Sequence, residues 1–203
     1  MKRVLLERIL DGTYKPGDRL VELQIAKELD TSQAPVREAL RELEAMGLIE
    51  SQTYRGTRVR QISPQELQES YQVRAELEAL AARLAAPKFY ANPEPLQTTL
   101  AALERAAAEE NFEEFTQSNT AFHRLIVETS GNSILLRVWD SLAFEIWTRI
   151  NLVLLGRKIV NLKLLNQEHQ AVVDALVQND GKTAADLLRS HVENVVDREE
   201  KLL

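Results

Sequence analysis

The residue pattern specifies a mainly α protein in two parts, an N-terminal winged helix-turn-helix over residues 1–62 and an all-α antiparallel six-helix bundle over residues 63–203. Residues 31–46, TSQAPVREALRELEAM, place Val36, Leu40 and Leu43 on one side at helical spacing and Gln33, Arg37 and Arg41 on another, so one face packs and one stays exposed. A second amphipathic segment, Leu20 to Leu29, precedes it across a break at Asp30 to Gln33, the helix, turn, helix order of a DNA reader. From Pro64 onward the apolar spacing is helical throughout and no strand pattern competes.

Composition narrows the class. The 203 residues suffice for one large or two modest domains, and few aromatics beside many Ala, Leu and Glu favour helices. With no cysteine, disulfides and thiolate metal sites are excluded, which fits a reducing compartment. No stretch approaches the roughly 18 apolar residues of a membrane span, and MKRVLLERIL carries charge where a signal peptide needs an apolar core. A cytoplasmic protein with no membrane partner is expected. The net charge of −6 is unevenly placed: residues 1–62 hold 11 Lys and Arg against 10 Asp and Glu, and the remainder holds 14 against 21. The acid belongs to the C-terminal part, so the case for DNA rests on where the arginines stand.

Taken in order, residues 1–10 form a helix with Val4, Leu5 and Ile9 inward, ended by Asp11 and Gly12. Tyr14 to Leu20, YKPGDRL, is a Pro-Gly turn followed by a short extended piece. In the helix of residues 31–46, Thr31 or Ser32 caps the start, Pro35 sits in the first turn and Gly47 supplies the left-handed stop. Leu48–Ser51 and Thr57–Gln61 read as strands joined by a turn holding Arg55 and Gly56, a β-wing. Ser63, Pro64 and Glu66 make a capping box that opens a new helix and a new domain. Six helical segments follow, at about 64–86, 93–109, 111–130, 132–155, 158–178 and 181–202, with breaks at Pro87 to Pro95, Glu110 to Asn111, Gly131, Gly156 and Gly181.

The N-terminal residues resemble the GntR-type bacterial transcription regulators. The matching run is Tyr14, Pro16, Gly17, Leu20, Glu22, Ala26 and Leu29, then Ser32, Pro35, Val36, Arg37, Glu38, Ala39, Leu40 and Leu43, and finally Gly47, Leu48, Arg55, Gly56 and Val59. Members of that family usually carry a few more residues before the first helix than this chain does. The bundle behind it resembles the FadR C-terminal (FCD) domain, the ligand-sensing half of one subfamily, and its six helices rather than seven are similar to the VanR-like branch. These resemblances imply a metabolite-responsive regulator, in this family most often a repressor, bound to double-stranded operator DNA. Ser32, Gln33, Arg37 and Arg41 are then the candidates for base and phosphate contacts in the major groove, and Arg55, Gly56, Thr57 and Arg58 for the backbone or minor groove. A solvated charged helix face has the same composition, and the winged-helix context decides against it. One winged helix makes too few contacts for operator specificity, so a homodimer on a palindrome is expected.

The chain has three histidines, His123, His169 and His191, each on the apolar stripe of a different bundle helix. Imidazoles are costly to bury without partners, and three facing one interior are satisfied by a divalent cation of the zinc, nickel or manganese type. The alternative is three core histidines bonded to polar neighbours, with no metal. In the resembled domain the position four before the first histidine is commonly a ligating Asp. Here it is Asn119, whose carboxamide oxygen can coordinate but brings no charge, so a lower metal affinity is expected. Arg74 stands one heptad after Leu67, where an apolar residue belongs. It either pairs with Glu78 one turn on or, with Arg149, grips the carboxylate of a small organic acid effector that also ligates the metal. Trp139, Phe144 and Trp147 read as core. A metalloenzyme is set aside because no general base stands at recognisable spacing from the histidines. A constitutive DNA-binding protein whose bundle only dimerises stays open, and it differs in that no small molecule would release its operator.

Overall fold

The computed structural model describes residues 1–52, 56–61, 63–142 and 161–200. Arg55, Phe144, Trp147 and Arg149 lie outside the described residues. The chain passes from one compact unit to another between Ser63 and Pro64.

The first unit runs α1 (Lys2–Leu10), β1 (Arg19–Leu20), α2 (Glu22–Glu28), α3 (Gln33–Ala45), β2 (Ile49–Gln52) and β3 (Gly56–Val59). The strands form an antiparallel sheet in the order β1-β3-β2. Val36, Ala39, Leu40 and Leu43 turn the apolar side of α3 into a core with Leu5, Leu10, Ile25, Leu48 and Val59. Full burial of each large aliphatic is worth about 1.5–3 kcal/mol, so packing rather than capping holds α3 in place. Ser32 does occupy the N-cap position, but its side chain makes no capping bond.

Two local expectations change. Val4 is exposed and Leu10 is buried instead. In a helix of nine residues a one-residue error turns the stripe by about 100°, and nothing local fixes it. Leu20 ends the short extended piece expected after the Pro-Gly turn, now β1, and does not open the following helix, because Arg19 and Leu20 pair with Arg58 and Thr57 of β3. That pairing joins distant residues and leaves no periodic trace.

The second unit contains α4 (Pro64–Ala91), α5 (Glu94–Ala108), α6 (Phe112–Ser130), α7 (Ser133–Ser141), α8 (Leu162–Val177) and α9 (Gly181–Glu200). The segment expected over 132–155 is thus helical through Ser141, and residues 143–160 lie outside the description. Helix α9 lies along α4, α4 and α5 both pack on α6, and α8 meets α4, α5 and α9. Ala75, Ala79, Ala82 and Ala86 follow one another down the buried side of α4, and small side chains there let neighbouring helices approach closely. Side-chain caps open the later helices: Asn111 Oδ1 accepts from Glu114 N at 3.1 Å, and Asn161 Oδ1 accepts from Leu164 N at 3.1 Å. Gly131, at φ 72°, closes α6 in the left-handed region that glycine favours.

The break expected over Pro87 to Pro95 falls at Asn92 and Pro93, since α4 continues through Pro87 to Ala91 and α5 opens at Glu94. An interior proline costs about 3 kcal/mol, partly because it leaves the carbonyl four residues earlier without its donor. That carbonyl is Arg83's, and the backbone of Gly181 sits against it: a Cβ on Gly181 would lie 3.1 Å from Arg83 O and 3.2 Å from Ala86 Cβ. Burial of Ala85, Ala86 and Phe89 around the proline offsets the cost.

Candidate metal centre and nucleic-acid interface

Helix α6 carries His123, α8 carries His169 and α9 carries His191, and the stripe positions bring all three into one interior at 2%, 0% and 4% exposure. One nitrogen from each ring falls within 4.8 Å of the others, a group able to hold a metal ion. The rings of His123 and His191 stack at 5.4 Å, and His169 meets His191 edge-on at 4.4 Å. Asn119, one turn before His123 on α6, is buried as well.

Two of the three rings have a carboxylate partner. His123 Nδ1 lies 2.6 Å from Glu78 Oε2 and His191 Nδ1 lies 2.8 Å from Glu168 Oε2. A carboxylate only accepts, so each Nδ1–H donates and each Nε2 keeps its lone pair for another partner. His169 is different. Both its ring nitrogens are buried with no hydrogen-bond partner among the described residues; the Leu165 carbonyl one turn earlier pulls on the ring but falls short of hydrogen-bond geometry. An orphaned imidazole at zero exposure beside two other imidazoles fits a metal ion better than it fits a dry core. The plainer alternative, three histidines satisfied by polar neighbours, accounts for His123 and His191 and leaves His169 unexplained.

Electrostatics keep His123 and His169 in the uncharged form. Burial pushes His123 down to about 4, against the upward pull of Glu78 and with help from Arg74. His169 is held well below its ordinary value, first by burial and then by repulsion from His191 and His123. At neutral pH these two rings are therefore uncharged, as metal binding requires. Burial raises the Glu78 carboxyl, but Arg74 and His123 outweigh it and hold the group well below the usual carboxylate range.

Arg74 donates from Nε to Glu78 Oε1 at 2.7 Å, so the ion pair anticipated one turn apart is present and buried. The same Oε1 accepts from the Trp139 indole at 3.0 Å. Trp139 is core, as expected, at 1% exposure, and it also carries a polar contact that spacing did not reveal. The histidine partners Glu78 and Glu168 were missed as such, for each acts across helices.

On the first unit, Ser32, Gln33, Arg37 and Arg41 are all exposed along α3. The two arginines are not bare. Arg37 grips Glu22 of α2 with Nε at 3.0 Å and Nη2 at 2.7 Å, and Arg41 Nη1 reaches Glu38 Oε1 at 3.3 Å. In the wing, Thr57 Oγ1 meets Ser51 Oγ at 3.1 Å and Arg58 Nη1 donates to Gly17 O at 3.0 Å. Gly56 has φ 77°, and a Cβ there would lie 3.1 Å from Arg19 Nε, so glycine leaves room for that guanidinium. Glu22 and Arg19 belong to this face without having been singled out for it, although Glu22 stands in the matching run.

Known proteins agree with both halves. The family described as bacterial regulatory proteins, gntR family, matches residues 2–59, and the FCD domain matches residues 69–194. The "Probable D-xylose utilization operon transcriptional repressor" of Paenarthrobacter nicotinovorans is 36% identical, over 93% of this chain and 82% of its own. The "HTH-type transcriptional repressor GlaR" of Escherichia coli is 28% identical over 94% of this chain and 90% of its own. The solved structure of E. coli McbR/YncC has the same fold, with a TM-score of 0.78 at 24% identity over 100% of this chain and 96% of that one. The relatives are regulators and not enzymes, and the chain belongs to the GntR family of bacterial transcription regulators, in the group that carries an FCD domain behind its DNA-binding half.

Proposed function

We propose that this protein is a cytoplasmic, metabolite-responsive repressor of the FadR subfamily's VanR-like branch, working as a homodimer on operator DNA with a divalent metal ion in its bundle. Helix α3 enters the major groove with Ser32, Gln33, Arg37 and Arg41, and Arg55, Gly56, Thr57 and Arg58 of the wing meet the backbone or minor groove. His123, His169 and His191 hold the ion, with Asn119 as an uncharged oxygen donor. When bound, the ion supplies a Lewis-acidic point for the carboxylate of a small organic acid. Arg149 and Arg74, the latter while it keeps its ion pair with Glu78, are the guanidinium partners of that carboxylate. The effector favours one arrangement of the two DNA-binding halves, which requires that its affinity differ between the DNA-competent and incompetent states.

His169 carries this reading, because the ring is fully buried and the nitrogen that keeps its lone pair has no donor beside it among the described residues, which leaves room for an electrophile. The test combines elemental analysis with zinc, nickel and manganese titration of the full chain and of His169→Ala. The wild type should take one ion per chain and the variant none, while both keep their affinity for a duplex selected by the wild type from a random library. A wild type that takes no metal would refute the sensor half. Release of the duplex by members of a panel of small organic acids, in the metal-loaded protein only, completes the test; indifference to the whole panel would favour a bundle that only dimerises.

A further inference from the structure

We propose that Glu78 is the positioning residue of the histidine cluster: it sets the His123 ring with Nε2 toward His169 and His191, and it links that ring to the Trp139 indole on α7. The inference rests on the metal reading above and extends it to a residue outside the ligand set.

The geometry is specific. Glu78 is fully buried, and each of its oxygens is used. Oε2 accepts from His123 Nδ1 at 2.6 Å, while Oε1 accepts from Arg74 Nε at 2.7 Å and from Trp139 Nε1 at 3.0 Å. The partners come from α4, α6 and α7, so one carboxylate ties three helices together. Because a carboxylate has no proton to give, His123 has one tautomer available, with the proton on Nδ1 and the lone pair on Nε2. Arg74 supplies the opposite charge that lets the carboxylate stay ionised at this depth, so the ring faces a full negative charge rather than a neutral acid. Glu168 repeats the device for His191 from α8, on the more exposed flank of the cluster. His169 has no such carboxylate among the described residues, so two of the three rings arrive pre-set and the third packs against Phe122 at 4.8 Å and Phe115 at 6.2 Å.

A simple counter-ion to buried Arg74 would occupy the same place, but the two roles separate under substitution. In Glu78→Gln the amide keeps the size of the side chain. It presents either N–H to His123 Nδ1, which forces the proton onto Nε2 and blocks the ligand atom, or N–H to Arg74, which repels it. In the second orientation the amide oxygen would still accept from Nδ1–H, but the Arg74 and Trp139 donors repel the amide N–H there, so the first orientation prevails and the ring loses its imposed tautomer. A counter-ion alone would change folding stability and leave the metal affinity of the folded protein untouched.

The experiment is a competition titration of zinc against a chromogenic chelator, on full-length wild type, Glu78→Gln, Glu168→Gln and His169→Ala. The indole emission is followed in a Trp147→Phe background, where Trp139 is the one tryptophan left. Glu78→Gln and Glu168→Gln should each weaken zinc binding about 10- to 100-fold. Zinc should also shift Trp139 emission, with the shift lost in Glu78→Gln. Folded Glu78→Gln with wild-type zinc affinity overturns the proposal. If that variant does not fold, Trp139 emission indifferent to saturating zinc overturns it instead. Zinc binding absent from the wild type itself shows that the metal reading has failed and takes this inference with it, whereas zinc lost in His169→Ala but kept in Glu78→Gln and Glu168→Gln sinks the positioning role alone.

Discussion

Arg37→Ala separates DNA reading from folding. The Arg37–Glu22 pair joins side chains that are 51% and 32% exposed, and exposed pairs contribute about 0–1 kcal/mol to stability. Removing the guanidinium should therefore cost the fold less than about 1 kcal/mol. In the bidentate grip Arg37 uses Nε and Nη2, which leaves both N–H groups of Nη1 for the outside. That is enough for a contact to a base edge, and its loss should weaken specific binding by roughly 1 to 3 kcal/mol, about 5- to 150-fold. The assay is fluorescence anisotropy with a selected duplex and a scrambled duplex of equal length, over a series of salt concentrations. The expected result is a large loss on the selected duplex, a small loss on the scrambled one and a unimodal melt close to wild type. Equal losses on both duplexes with a shallower salt slope would make Arg37 a phosphate contact. An unchanged selected-duplex affinity would remove α3 from the reading role altogether. Glu22→Gln provides the complement, because a guanidinium released from its clamp gains affinity for any phosphate and the ratio of selected to scrambled binding should fall.

Asn119→Asp adds the missing negative charge one turn before His123 and should raise metal affinity; calorimetric titration showing no gain would exclude residue 119 from the ligand set. For the metal-free protein, an unfolded histidine takes its proton near 6.5 but His123 in the fold near 4, so stability is full above about 6.5 and declines as pH falls toward 4. The loss from this ring is on the order of 3 kcal/mol, with His169 acting in the same direction and Glu78 adding to it below its ordinary 4.5. Urea melts at successive pH values should show the decline, and flat stability across that window would contradict it. Gly181→Ala sets a helix-propensity gain of up to about 1 kcal/mol against a Cβ only 3.1 Å from Arg83 O. Backbone cannot yield as a flexible side-chain tip does, so a net loss of about 1–3 kcal/mol is expected from overpacking, measured by denaturant melts; a stabilised variant would show that α4 and α9 separate freely.

Periodicity and local chemistry determined a good deal. The two faces of α3, the left-handed stop at Gly47, the break at Gly131, the Arg74–Glu78 pair one turn apart, the burial of Trp139 and the inward setting of three histidines all depend on residues within a turn or two of each other. Spacing along one helix encodes such relations directly. Which helix meets which was another matter. The carbonyl that Pro87 leaves without its donor lies against Gly181, nearly a hundred residues later, and β1 pairs with the distant β3. Glu22 reaches Arg37, Glu78 reaches His123 and Trp139, and Glu168 reaches His191 only once the elements are packed. A carboxylate in a helical stripe looks the same in sequence whether it faces water or a histidine, because the distance between elements is a property of the assembled core and not of the spacing along any one of them.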